Sequence, residues 1–138
     1  RERASSFVIV VDASVLANAL GDDGDDGAIA RTRLTESELA APDLIDVETV
    51  AVLRKRWIAG DLTAQRFSDA IDDLEDLDLA RYPTLPLMRR AFELRDNLTA
   101  YDAVYVALSE QLGCTLLTAD RRLATAPTIS CPVEIVHP

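Results

Sequence analysis

Phe7-Val-Ile-Val-Val-Asp12 decides the fold. Five consecutive apolar residues, four of them β-branched, show no polar alternation. That pattern predicts a strand buried on both faces, the condition of a parallel sheet covered by helices and not of a half-wet antiparallel one. Asp12 ends the run. A carboxylate at the carboxyl end of a buried parallel strand stands where open α/β sheets place their ligands. Cys114-Thr-Leu-Leu-Thr118 repeats the arrangement, with Asp120 two residues beyond it.

Between these strands the pattern changes to a helical period. Ser14 to Leu20 reads as a short helix, Gly21-Asp-Asp-Gly-Asp-Asp-Gly27 as a flexible acidic loop, and Ala28 to Leu34 as a further helix. Leu39 to Ala41 reads as a short strand. Pro42 and Asp43 are expected to open a helix that ends at Gly60, burying Leu44, Val47, Val50, Ala51, Trp57 and Ile58. The next helix starts near Thr63, with Phe67, Ala70, Ile71, Leu74 and Leu77 inward and an acidic outer face. Tyr82 to Pro86 reads as a strand end and turn, and Leu87 to Arg95 as a helix. Thr99 is an N-cap signal for a helix to Gly113 that is apolar almost all round and should be buried. Asp120 begins a short helix, and Val133 to Val136 is the last strand. Alternating strands and helices define an α/β class with a central parallel sheet. Residues 1–6, without an initiator Met, read as an N-terminal extension or a cloning remnant, and residues 7–138 as a single domain.

Composition narrows the function. The chain has 138 residues, 49% of them apolar, and a net charge of −10. It is long enough for one well-buried core. A negative balance argues against a general nucleic-acid coat or an anionic-membrane binder, both of which need surplus Lys and Arg. The apolar stretch from Phe7 to Leu20 behind Arg1 and Arg3 imitates a secretory signal, but Asp12 in its middle costs about 2.5–3.5 kcal/mol on insertion. Cys114 and Cys131 are too few for a disulfide framework and lack zinc spacing, so they read as buried thiols in a cytoplasmic protein. The sole histidine, His137, is expected on a fraying end, which removes Ser-His-Asp and Cys-His catalysis from consideration. The acidic loop fails as an EF-hand because position 12 counted from Asp22 is Arg33, and no Gly-rich phosphate loop follows the first strand.

What remains is carboxylate chemistry. Asp12, Glu48 and Asp102 stand among hydrophobic neighbours, where a charge loses solvation unless something compensates; Asp120 joins them by position. Taken singly, each has a structural reading as a cap or surface residue. Together, four carboxylates aimed at one crevice would raise one another's pKa unless a divalent cation neutralised them. Oxygen ligands suit Mg²⁺ or Mn²⁺, and such an ion performs phosphoryl-ester hydrolysis without His or Cys. Ser14 and Thr118 are placed to support, either by orienting a ligand or by local capping.

Four segments carry a family resemblance: Val-Val-Asp12-Ala-Ser14-Val-Leu, Pro42-Asp-Leu-Ile-Asp-Val-Glu48, Thr99-Ala-Tyr-Asp102-Ala-Val-Tyr-Val-Ala-Leu-Ser, and Leu116-Leu-Thr-Ala-Asp120-Arg-Arg-Leu. In order and spacing they resemble the motifs of PIN-domain ribonucleases, specifically the VapC toxins of bacterial toxin-antitoxin pairs. The resemblance implies a three-layer α/β/α domain with Asp12, Glu48, Asp102 and Asp120 collected at one end as a catalytic Mg²⁺ or Mn²⁺ site. It implies endonucleolytic cleavage of RNA, Asp12 and Asp102 as the most direct metal ligands, a homodimer, and inhibition by a cognate antitoxin of VapB type. Ser14 and Thr118 match supporting hydroxyls.

An acidic pocket with apolar flanks suits a basic amphipathic antitoxin segment. RNA must be drawn to a chain of net charge −10 by local arginines, and Arg31, Arg33, Arg54, Arg56, Arg121 and Arg122 are the expected groove rim. The acidic loop at Asp22 to Asp26 is expected close to the site. Two other readings stand beside the nuclease: a PIN-like interaction module without catalysis, and a metal-dependent DNase or phosphatase.

Overall fold

Val8–Val11 forms strand β1, and every later element is arranged around it. The computed structural model describes residues 7–137; the expectation for residues 1–6 lies outside the described residues. After β1 come α1 (Ala13–Gly21), α2 (Asp25–Leu34), β2 (Glu38–Pro42), α3 (Ile45–Ile58) and α4 (Ala64–Asp76). Then follow β3 (Leu79–Tyr82), a 3-10 turn (Leu85–Leu87), α5 (Met88–Glu93), α6 (Ala100–Leu112), β4 (Thr115–Thr118), α7 (Arg121–Ala124) and β5 (Val133–Ile135).

The five strands make one sheet in the order β3-β2-β1-β4-β5, with every neighbouring pair parallel. From β1 the chain steps outward to β2 and β3, then returns across the sheet to β4. Right-handed crossovers therefore set α1 to α4 on one face and α5 and α6 on the other. The contacts agree: α1 packs on α2, α3 and α4, while α5 packs on α6 and α6 lies against β1, β2 and β4. Val10, Val11, Leu16, Leu108, Leu116 and Leu117 are wholly buried between the layers. The reversal of direction falls between β1 and β4, the switch point at which such sheets open a crevice.

The buried elements follow the sequence closely. Thr99 caps α6 by accepting from Asp102 N at 3.1 Å, Gly113 ends it at φ +66°, and Ala103 to Ser109 are all buried. Tyr101 is the exception, projecting outward from the first turn.

Amphipathic and turn segments differ more. Pro42 ends β2 instead of opening a helix, and α3 starts at Ile45. Its buried stripe is Ile45, Thr49 and Leu53, whereas Val47, Trp57 and Ile58 are 75%, 45% and 60% exposed. Apolar residues occupy several faces of α3, and packing on α1 and α4 selects the face whose middle position is polar. Part of the acidic loop is helical, because Asp25 and Asp26 form the first turn of α2, where the helix dipole favours them. The cysteines are half-buried. Among the described residues no helix is long and apolar enough to cross a membrane.

Gly27 belongs to α2 because a Cβ there would collide with the Asp22 carbonyl oxygen and come within 2.9 Å of Arg31. Gly27→Ala, otherwise a helix-favouring change, is accordingly expected to destabilise by about 1–3 kcal/mol. Thermal melts of the two proteins check this; an unchanged or higher Tm would contradict the close approach.

Candidate active site

The crevice is built on the hydrogen-bonded junction of β1 and β4. Asp12 N donates to Leu117 O at 3.1 Å, fixing the end of β1 to its neighbour. The Asp12 carboxylate then caps α1: Oδ1 accepts from Ser14 N at 3.1 Å, Ser14 Oγ at 2.6 Å and Val15 N at 3.2 Å. Oδ2 accepts from the Thr118 hydroxyl. Ser14 Oγ accepts from Ala119 N at 3.0 Å, and Thr118 Oγ1 from Asp120 N at 3.0 Å. Both hydroxyls tie Asp12 to the turn after β4, which is why this short polar pattern recurs at the ends of two buried strands.

Three carboxyls are held above their ordinary range. Asp12 is only 7% exposed, and burial raises its pKa against the bonds from Ser14, Thr118 and Val15, with the Asp102 charge adding to the rise. Glu48, in the N-terminal part of α3, is raised by burial and by Asp102 and Asp12, opposed by a hydrogen bond from Tyr105. That bond, Tyr105 Oη to Glu48 Oε1, is 2.5 Å long. Asp102 is raised by burial and by Asp120, and lowered by Arg122 and its bond with Thr99. Asp120 behaves oppositely: Arg122 donates to it from Nε at 3.0 Å and from Nη2 at 2.5 Å, holding its carboxyl below the usual range.

Asp12, Glu48, Asp102 and Asp120 thus share one electrostatic field. A cavity of about 290 Å³ opens beside two of them, lined by Thr99, Asp102, Asp120 and Arg122 among others, while Asp12 and Glu48 lie outside its lining. Among the described residues no three acidic, His or Cys side chains converge as a group able to hold a metal ion as they stand. As they stand the side chains form an acidic field and not a finished cage. The donor chemistry nevertheless fits a hard divalent cation: every donor is oxygen, and partly desolvated like charges gain most from a shared counter-ion.

The expected arginine rim divides. Arg31 donates to Ala19 O at 3.0 Å and Asp22 O at 2.8 Å, satisfying the carboxyl end of α1. Arg33 forks onto Glu134 of β5 at 2.7 and 2.9 Å, and Arg56 donates to Asn18 Oδ1 at 2.7 Å. These three brace the scaffold away from the carboxylates. Arg54 and Arg121 are exposed on α3 and α7, and Arg122 alone reaches the acidic group.

The acidic loop expected close to the site lies at the far end of α1, where Asp22 caps the last turn while Asp12 caps the first; nine helical residues separate them by roughly 13 Å. It borders a larger cavity of about 700 Å³, together with Arg56 and Arg66. Tyr105 is the residue that sequence reasoning assigned only to the core. Its signal was the spacing of three from Asp102, which puts both on one face of α6.

Residues 9–128 match the PIN domain family. The chain is 39% identical to Ribonuclease VapC1 of Mycobacterium tuberculosis over 93% of its own length and 97% of that protein's. It is 40% identical to Ribonuclease VapC9 of the same organism, over 94% and 98%. The solved structure of VapBC2 from Rickettsia felis, bound to a promoter DNA fragment, has a similar fold at 11% identity, with a TM-score of 0.66 over 95% of this chain and all of that one.

Because Asp12, Glu48 and Asp102 are raised on folding, the native state holds protons that the unfolded chain releases. Their contribution therefore turns unfavourable as pH rises above the ordinary carboxylate value of about 4. In chelator, Asp102→Asn is expected to raise Tm by several degrees at pH 8 and by much less at pH 5. Calorimetry at both pH values checks the sign, and a variant destabilised equally at both would contradict it.

Proposed function

This chain belongs to the PIN-domain family, and on that premise we propose that it is a metal-dependent endoribonuclease toxin restrained by a cognate antitoxin. The observation that carries the reading is the shared field of Asp12, Glu48, Asp102 and Asp120 at the sheet's switch point. Its ribonuclease relatives, similar over nearly their full lengths, support RNA as the substrate.

Asp12 and Asp102 would hold Mg²⁺ or Mn²⁺ most directly, with Glu48 and Asp120 completing the acidic group. When bound, such an ion supplies Lewis-acid polarisation of a phosphate oxygen and a water acidified toward neutral pH. The chain's own groups do the positioning. Ser14 and Thr118 lock the Asp12 carboxylate in one orientation, and the Tyr105 hydroxyl does the same for Glu48. Arg122, exposed on α7 beside Asp120, is placed to meet a substrate phosphate, and Arg121 next to it adds positive charge at the rim.

The expected partners are RNA, a second copy of the chain and a VapB-type antitoxin. Val47, Trp57 and Ile58 are exposed apolar side chains of α3 that association would cover. A basic amphipathic antitoxin segment complements both the apolar flank and the acidic pocket. The expected compartment is the cytoplasm.

Purified protein free of antitoxin is expected to cut bacterial RNA with Mg²⁺ or Mn²⁺, to stop in EDTA, and to leave DNA and small phosphate esters intact. Asp102→Asn should lower cleavage at least 100-fold while circular dichroism stays unchanged. Hydrolysis of DNA or phosphate esters in preference to RNA would favour the other hydrolase readings, and metal binding without hydrolysis would favour the interaction module. Tyr105→Phe frees Glu48 and is expected to weaken Mn²⁺ binding by about 10-fold or more in calorimetry, as loss of a group orienting a metal ligand does.

A further inference from the structure

The two cysteines take no part in the acidic site, yet each stands just before one of two adjacent parallel strands. Leu116 of β4 pairs with Val133 of β5, and Leu116 N donates to Pro132 O at 2.9 Å. Cys114 stands two residues before Leu116 and Cys131 two before Val133, so both lie just ahead of adjacent parallel strands, beyond the last paired positions. Neighbouring strands run about 4.8 Å apart, within the Cα separation of about 4.4–6.8 Å that a disulfide spans.

The approach to β5 is anchored. Glu110 of α6 accepts from Ser130 N at 2.6 Å and from Arg90 at 2.7 and 3.0 Å, while Arg90 also donates to Thr128 O at 3.0 Å. These bonds hold Thr128 against α5 and Ser130 against α6, fixing the segment that leads to Cys131. Burial, then the Glu110 charge and Cys114, push the Cys131 thiol up to about 11, and burial also raises the Cys114 thiol. Both are half-buried, and a cavity of about 470 Å³ borders Cys114.

We propose that Cys114 and Cys131 form a reversible intramolecular disulfide on meeting a low-molecular-weight disulfide such as oxidised glutathione, stapling the edge strand β5 to β4. The Cys114 thiolate attacks one sulfur of the reagent, forming a mixed disulfide and expelling one thiolate. The Cys131 thiolate then attacks the Cys114 sulfur, closing the bond and expelling glutathione from it. The two cysteine protons end on the two released thiols, so the cysteines are oxidised and one molecule of reagent is reduced. The bond closes a loop of 16 residues, from Thr115 to Ser130, that contains α7 and the turn carrying Asp120.

Incubation of the reduced, folded protein with oxidised glutathione, followed by alkylation and intact-mass measurement, tests this. The expected product is monomeric, about 2 Da lighter than the reduced chain, carries no alkyl group or glutathione, and melts roughly 5–10 °C higher. Dithiothreitol should reverse both changes. Cys131→Ser should instead stop at one glutathione adduct on Cys114, with no rise in Tm. Retention of two alkylatable thiols, stable glutathione adducts on the wild-type chain, or disulfide-linked dimers would overturn the proposal.

Discussion

A carboxylate buried at the meeting of two strands is the constraint on which this molecule depends. Asp12 sits where β1 gives way to α1, and its burial would be costly without partners. Three donors converge on Oδ1 and the Thr118 hydroxyl meets Oδ2. Because Thr118 and Ser14 also bind the backbone after β4, one side chain caps a helix, joins two strands and shapes the floor of the crevice. The switch-point topology supplies the opening, and this network sets a charge inside it.

The other carboxylates are added by helices of opposite layers. Glu48 comes from α3 and Asp102 from α6, and the Tyr105 to Glu48 bond spans the two elements near the carboxyl edge of the sheet. Beyond burial, Asp102 raises Asp12 and Glu48, Asp12 raises Glu48, and Asp120 raises Asp102, so the site is assembled against its own electrostatics. The buried surface of β1, β4 and α6 opposes that repulsion. Concentrated stress beside a rigid sheet is the condition under which a counter-ion gains most from binding. Arg122 offers partial relief from within the chain, but only to Asp120 directly.

What was legible in the sequence follows burial. β1, β4 and α6 are covered on nearly every side, so their apolar runs left little choice of orientation, and the carboxylates ending or opening them were visible as interruptions. α3 was visible as a helix but not in its phase: Thr49 occupies the middle of the buried stripe while Val47 and Ile58 face outward. Only contact with α1 and α4 settles which face turns inward. The acidic loop was misplaced for a related reason. Glycines and aspartates signal a break in helix, but Gly27 serves close packing against Asp22, and Asp25 and Asp26 serve the start of α2. Tyr105 was hidden because an aromatic on a buried helix has an ordinary packing reading, and its hydroxyl's partner comes from another layer.

The arginines complete the argument about charge. Arg31, Arg33, Arg56, Arg66, Arg81 and Arg90 bond to the chain's own carbonyls and carboxylates, so much of the positive charge is spent on the scaffold. With a net charge of −10, long-range attraction acts against a polyanion and for a basic partner. On the proposed function, substrate and inhibitor therefore meet opposite fields at the same crevice. RNA binding would then depend on close contacts, proposed near Arg121 and Arg122, and on the shape of the groove. On the same proposal, a basic antitoxin would be steered in from a distance and gain again on entering the acidic pocket. The surface charge that makes this chain an unpromising general RNA binder thus suits a selective nuclease kept under restraint, because it slows encounters with RNA while hastening encounters with the inhibitor.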